Sequence, residues 1–269
     1  MALITDVSKY RDNPELTKDL LAAGFSAADP KTSLRWSVCT TAKEKCGKTH
    51  WALATTPEPV YAIATDTGTK EIADKLVRDS GRRIYVTTIK PPKYAGNSSK
   101  KAEYESTWDE IQKALRAVLA MKGRRTLVGD TWTEVHEILR IARLGKLTQV
   151  MPFHYGPVNR EMSDLVKDIV STPDLVSIFI HKVKKEYREN KKGEDSWTGK
   201  WERSGFGDMP YLVDANLEHY YDRDTGEFGV RVLDCRQNMG MVGIEYPGEA
   251  CRFDVVASEA LSVDPEVWE

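Results

Sequence analysis

From residue 34 to residue 183, short apolar runs alternate with segments whose apolar residues recur every three to four positions. No other feature of the chain limits its fold as much. The strand-like runs are 34–40, 59–65, 82–89, 125–131 and 175–183. Between them lie helical segments: Gly47 to Ala54, then Thr69 to Ser80 with Ile72, Ala73 and Leu76 on one face. A long helix follows through Trp108, Ile111, Leu115, Val118 and Leu119, another through Val135, Ile138, Leu139 and Ala142, and a third through Val158, Met162, Leu165, Val166 and Ile169. Strands joined through helices run parallel, with the helices packed on the faces of the sheet. The stretches 91–101 and 151–157 read as loops from their proline and glycine. After residue 183 the pattern changes. Residues 211–221 and 228–236 read as two strands, and DRDTGE between them has the chemistry of a hairpin turn. The expected fold is α/β, with a mainly parallel central sheet and antiparallel β-hairpin strands at the C-terminal end. Residues 1–32 read as a leader with one short helix, Pro14 to Ala23, residues 33–240 as the core, and residues 241–269 as a strand and an acidic tail.

Ligands of such sheets bind at the carboxyl ends of the strands, and the first strand–helix junction carries a phosphate-loop signature. The full pattern is G-x-x-x-x-G-K-[ST]. Here it runs from Ala42 through Lys43, Glu44, Lys45 and Cys46 to Gly47, Lys48 and Thr49. Backbone amides would wrap the phosphates, Lys48 would meet the outer ones, and the Thr49 hydroxyl would face Mg²⁺. Lys45, Cys46, Gly47, Lys48, Thr49 and His50 are therefore the nucleotide-contact candidates. Alanine replaces the first glycine, which matters only if position 42 needs a positive φ. About eighty residues on, the apolar strand ending in Gly129-Asp130 supplies an acidic partner for the metal. Asp130 could instead cap the following helix.

Composition excludes several classes. No apolar run approaches the ~18 residues of a membrane span, and the start of the chain lacks the pattern of a secretory signal. The net charge is −2, so contact with nucleic acid requires a local patch. The cysteines, Cys39, Cys46, Cys235 and Cys251, form no C-x-x-C pair, which argues against zinc and for reduced thiols in a cytoplasm.

The segments TTAKEKCGKTHWAL, VYAIATDTG, TLVGDTWTEVHEILR, HYGPVNREMSDLVKDIV and LVSIFIHKVKKEY, in this order, resemble the bacteriophage RecA-like P-loop ATPases, a group that includes single-strand annealing proteins. The likeness covers roughly residues 33–240. It implies a RecA-like P-loop NTPase core that uses ATP and Mg²⁺, with catalytic roles for Lys48, Asp66, Asp130 and Arg236. Thr49 and Asp130 would hold the metal. Asp66 would activate water, with Glu71 in reserve, although Asp66 also suits a helix cap. His181 and Lys182 end the strand that reads the γ-phosphate, Lys182 being the better placed, while His181 could equally be a strand-end histidine hydrogen-bonded to backbone. Arg236 would reach a neighbouring subunit's ATP, or else pair with Asp234 or Glu245.

The resemblance also places a mobile DNA-binding loop directly after that strand. Between Lys182 and Arg203 there are eight basic and five acidic residues, interleaved with Trp197 and Trp201. Cations track phosphates and aromatic rings stack on unpaired bases. Lys184, Lys185, Arg188, Lys191, Lys192, Trp197, Lys200, Trp201 and Arg203 are the DNA-binding candidates; a solvated hairpin is the simpler alternative. Phe153, His154, Tyr155, Asn159 and Arg160 occupy the place of a second DNA loop. The expected function is ATP-dependent binding of single-stranded DNA in recombination or annealing, by a homo-oligomeric ring or filament with ATP at its subunit interfaces. A single-strand-binding protein is a further candidate partner, and no membrane is expected. A helicase- or packaging-type motor, and a nucleotide-binding regulator with little hydrolysis, are the alternatives.

Overall fold

The structure is a computed structural model that describes residues 22–23, 34–92, 101–145, 151–189 and 195–268. The chain divides into two compact units, Met1–Ser33 and Leu34–Glu269. Nearly all of the first, with most of the expected leader helix, lies outside the described residues.

In the second unit the strands are β1 (Trp36–Thr41), β2 (Val60–Ala64), β3 (Ile84–Thr88), β4 (Arg125–Asp130) and β5 (Leu175–His181), then β6 (Val183–Glu189), β7 (Asp195–Arg203), β8 (Ala215–Tyr221), β9 (Phe228–Cys235) and β10 (Glu245–Pro247). The helices are α1 (Lys48–Ala54), α2 (Gly68–Ser80), α3 (Lys101–Leu119), α4 (Trp132–Leu144), α5 (Pro152–Ser171), α6 (Met209–Leu212) and α7 (Phe253–Leu261). Among the described residues, eight strands form one sheet in the order β10-β9-β8-β1-β5-β4-β2-β3, and β6 and β7 form a separate two-stranded ribbon. From β8 to β3 every pairing is parallel, while β8, β9 and β10 pair antiparallel. The α/β class expected from the sequence, a mainly parallel sheet with antiparallel strands toward the C-terminal end, is the class observed, and β5 alone separates the strand leading into the phosphate loop from the strand ending in Asp130.

Every residue of β1, β4 and β5 is buried, because both faces of the sheet are covered. Successive side chains alternate between two cores. Val38, Ala62, Val128 and Ile178 pack with Trp51, Ala73 and Phe253 on the side of α1, α2 and α7. Cys39, Ile63, Leu127 and Phe179 pack with Trp108, Leu139 and Met162 on the side of α3, α4 and α5.

Gly129 has a particular reason to be glycine. A Cβ there would lie 2.4 Å from the ring of Trp132, which is fully buried and packs edge-on against Phe179 at 4.7 Å. Gly129→Ala is expected to destabilise the protein by about 1–3 kcal/mol through overpacking. The urea midpoint measures this; an unchanged midpoint means the ring can move aside freely.

Four expectations need correction. Residues 152–157 are the first turns of α5 rather than a loop. Pro152 sits at the first helical position, where no N–H is needed, and the Met151 backbone N–H donates to His154 Nδ1 at 3.0 Å. Phe153, His154, Tyr155, Asn159 and Arg160 thus lie on a helix. Residues 183–189 and 195–203 pair as a two-stranded ribbon rather than forming a loop. Residues 211–214 do not belong to a strand: α6 precedes β8, and Ser37 donates through N and Oγ to Asp214 Oδ2 at 2.9 and 2.6 Å, which fixes where β8 begins beside β1. The acidic end is no loose tail. Phe253, Val256, Ala257 and Ala260 are buried along α7, and Trp268 packs edge-on against Phe253 while its Nε1 donates to Ser258 Oγ at 3.1 Å. Their helical spacing outweighs the acidic composition. Among the described residues, no helix is long and apolar enough to cross a membrane.

Candidate functional site

The phosphate loop leaves the carboxyl end of β1 and returns into α1. Two of its residues have left-handed backbone, Lys45 (φ 58°) and Gly47 (φ 83°); Ala42 does not. The missing first glycine therefore falls where no positive φ is required. Gly47 does require it, and a Cβ there would lie 3.1 Å from the ring of Phe228. Lys48 points back into the loop, where Nζ donates to the carbonyls of Ala42 and Lys43 at 3.1 and 3.0 Å. Burial lowers its pKa, outweighing the opposite pull of nearby acidic groups that include Asp130.

Across the loop, Asp130 is almost wholly buried. Its Oδ2 accepts hydrogen bonds from Thr49 Oγ1 at 2.8 Å and Thr69 Oγ1 at 2.7 Å. Burial raises its pKa, against the pull of these two hydroxyls. Asp130 does not cap α4: Thr131 stands at that position, and no side chain caps it. The site thus holds a buried carboxylate beside a hydroxyl, an oxygen donor set suited to Mg²⁺. It also holds an ammonium whose hydrogen-bonded partners are loop carbonyls. Both fit a metal-bound polyphosphate.

A cavity of about 660 Å³ spans this region. Lys45, Cys46, Gly47, Lys48, Thr49, His50, Asp66, Asp130 and Lys182 all line it. The sheet register explains the convergence, since Ala64, Asp130 and Ile180 are neighbours across β2, β4 and β5. Asp66 follows β2 and stands one residue before Thr67, the cap position of α2; it is exposed, its Oδ1 accepts from the Gly68 N–H at 2.9 Å, and it faces the cavity. Glu71 is not among the lining residues. The Lys182 ammonium pairs with Glu134. A cleft of about 240 Å³ joins these two residues to Asp66 and Thr131.

His181 takes the second of its two expected roles, a strand-end histidine bonded to backbone. It is fully buried, with Nδ1 3.0 Å from the Ser204 carbonyl. Burial pushes it down to about 3, and His219 likewise. With folded values depressed below 6.5, the unfolded chain takes up protons that the fold refuses. Their contribution to stability is full above about 6.5 and shrinks as pH falls toward about 3. The urea midpoint is expected to be lower at about pH 5 than at about pH 7.5; equal midpoints contradict neutral burial of these rings.

Arg236 is the one catalytic candidate away from the cavity. It follows Cys235, which pairs with Ala215 at the level of Val38, toward the amino end of β1. Its Nη2 donates to the Tyr211 carbonyl at 2.8 Å and its guanidinium lies 3.9 Å from Asp214, so neither Asp234 nor Glu245 is its partner.

The ribbon meets the phosphate loop directly. Lys43 Nζ lies 5.1 Å from the ring of Trp201, and Lys185 Nζ lies 5.2 Å from the ring of Trp197. Tyr187 pairs with Trp197 and Lys185 with Trp201, so all four side chains share one face. On that face Tyr187, Trp197 and Trp201 are exposed by 55%, 50% and 42%, enough to offer rings to a ligand. Lys184 pairs with Glu202, Arg188 with Glu186, and the Lys200 carbonyl accepts from Trp197 Nε1. Arg203 is tied to the carbonyls of Phe206 and Gly207 at the root of the ribbon. Lys191 and Lys192 lie outside the described residues. Thr69, Glu134, Tyr187 and Phe228 escape sequence reasoning; only Tyr187, inside the basic and aromatic stretch, carries a readable signal.

A family profile described as "AAA domain" matches residues 34–243. No curated protein matches the chain in sequence. Among solved structures, one titled as the crystal structure of the RadB recombinase has 12% identity and a TM-score of 0.44, over 79% of this chain and 86% of that one. Another, titled as a prototypical ATPase from the type III secretion system of pathogenic bacteria, has 11% identity and a TM-score of 0.45, over 70% of this chain and 52% of that one. This chain thus spans about half the length of the second.

Proposed function

This chain belongs to the AAA domain family, and we propose that it is an ATPase that binds single-stranded DNA on its ribbon. The role would be annealing or strand pairing in recombination, in a phage-infected cytoplasm. Lys48 and the loop amides hold the phosphates, and Thr49 with Asp130 holds Mg²⁺. The metal, when bound, polarises phosphoryl oxygens and neutralises charge that develops on them. Asp66 and Lys182 face the same cavity, Asp66 to orient water and Lys182 to meet the terminal phosphate. Arg236, near the other end of the sheet, would serve a neighbouring copy in a ring or filament. A single-strand-binding protein would share its DNA.

The observation that carries the reading is the contact of Trp201 with Lys43. A ring on the basic ribbon rests on the loop that would hold the triphosphate, so nucleotide and DNA would be bound at one end of the molecule.

ATP turnover measured alone, with oligothymidylate and with duplex DNA tests the proposal. Stimulation by the single strand supports it, duplex-only stimulation identifies a motor, and nucleotide binding without turnover identifies a regulator. Stacking contributes about 1–3 kcal/mol per base, so Trp197→Ala with Trp201→Ala is expected to weaken oligothymidylate binding by at least about 30-fold. Unchanged affinity places the DNA elsewhere.

A further inference from the structure

Both ends of the ribbon are fastened to a single hydroxyl. The chain enters the ribbon at Lys182, whose backbone N–H donates to Thr133 Oγ1 at 3.0 Å. It leaves at Ser204, whose carbonyl accepts from the same Oγ1 at 3.1 Å. A hydroxyl has one proton and two lone pairs, so these bonds use its donor and one acceptor. The Ser204 N–H closes the root by donating to the Lys182 carbonyl at 2.8 Å, and His181 Nδ1 lies 3.0 Å from the Ser204 carbonyl. Gly205, with φ of +102°, completes the fit: a Cβ there would lie 3.3 Å from Thr133 Cα and from His181 Nδ1.

Thr133 is three residues beyond Asp130 and belongs to the first turn of α4. Thr131, between them, lines the cavity, and its N–H donates to Thr65 Oγ1 at 3.0 Å. Glu134, the next residue, pairs with the Lys182 ammonium at the cavity wall. A displacement of Thr131 therefore reaches the ribbon root through two peptide units and one side chain, and one of Asp130 through three. Beside it run the covalent link from β5 through Lys182, which itself lines the cavity, and the contact of Lys43 with Trp201.

We propose that Thr133 is a positioning residue that ties the orientation of the β6–β7 ribbon to the occupancy of the phosphate site. It touches neither nucleotide nor DNA, and its hydroxyl acts through Lys182 and Ser204. The inference rests on the nucleotide-binding part of the proposed function.

The test uses the full chain, Mg²⁺ and a non-hydrolysable ATP analogue, with wild type, Thr133→Val and Thr133→Ser. Valine preserves the shape and removes the hydroxyl, serine restores it, and Thr133→Ala is the second hydroxyl-free variant should valine fail to fold. Analogue affinity is measured first, then amide hydrogen exchange in residues 183–189 and 195–203 with and without analogue. In the wild type and Thr133→Ser, the analogue is expected to change exchange in the ribbon and to raise oligothymidylate affinity by about 5- to 150-fold, the usual range of coupling between sites. Thr133→Val is expected to bind the analogue as the wild type does and to lose both responses. Retention of the exchange response in Thr133→Val overturns the inference, as does a wild-type ribbon insensitive to bound analogue. If the wild type binds analogue but no DNA, the DNA reading falls while the exchange response still decides the role of Thr133. If it binds no analogue, both fall together.

Discussion

Replacing Lys48 with alanine is expected to lower ATP turnover by about 10²–10³-fold, the scale on which a preorganised charge aimed at the transition state acts. The protein should remain at least as stable as the wild type. Phosphoryl transfer depends on positioning and electrostatic stabilisation, so a cation held at the loop has large leverage. The same cation is a burden to the empty fold. Burial lowers its pKa, which means that the charged form is disfavoured there relative to water. Its Nζ bonds go to the Ala42 and Lys43 carbonyls, which border the cavity and are open to water once the side chain is gone. Turnover and the urea midpoint are measured on the same samples. Near-normal turnover removes Lys48 from the chemistry, and a lowered midpoint turns the effect into one of folding.

Asp130→Asn is expected to separate stability from activity in the same way. Burial raises the Asp130 pKa above 3.8. A carboxyl raised in this direction supports the fold fully below its ordinary value and loses that support as pH rises through its folded value. At neutral pH the ionised group works against the fold until a cation neutralises it. Asparagine keeps an oxygen acceptor for Thr49 and Thr69 and carries no charge. Nucleotide-free Asp130→Asn is therefore expected to melt at or above the wild type at about pH 7.5, with the gap closing toward acid. Metal-assisted charge stabilisation amounts to several kcal/mol, and each ~1.4 kcal/mol is tenfold, so turnover should fall at least about 10²-fold. Lower melting with full turnover would mean that the carboxylate is structural.

The sequence was most informative where the relevant chemistry is local. Gly47, Lys48 and Thr49 are contiguous, and the left-handed backbone needed at Gly47 is a property of that residue type. Asp130 was readable as the polar end of an apolar strand. Its partner Thr69 was not, because sheet register rather than any motif brings them together across 61 positions. Glu134 and Thr133 were hidden for the same reason. In α5 the prolines and Gly156 argued for a loop, yet Pro152 needs no N–H where it stands and His154 supplies the missing cap. At the chain end, acidity masked the spacing of Phe253, Val256, Ala257 and Ala260. The basic, aromatic composition of the ribbon was visible; that Trp201 would rest on Lys43 was not.

The packing around Phe253 bears on how the protein is made. Its ring touches Trp36 of β1, Trp51 of α1 and Trp268, and its backbone N–H donates to Thr55 Oγ1 just past α1. The helix that begins with Lys48 is seven residues long, too short to persist alone in water. During synthesis, Trp51 emerges from the ribosome some two hundred residues before Phe253 and Trp268 arrive to cover it. A nascent chain accordingly carries the apolar face of α1 uncovered until the segment that follows β10 has been translated.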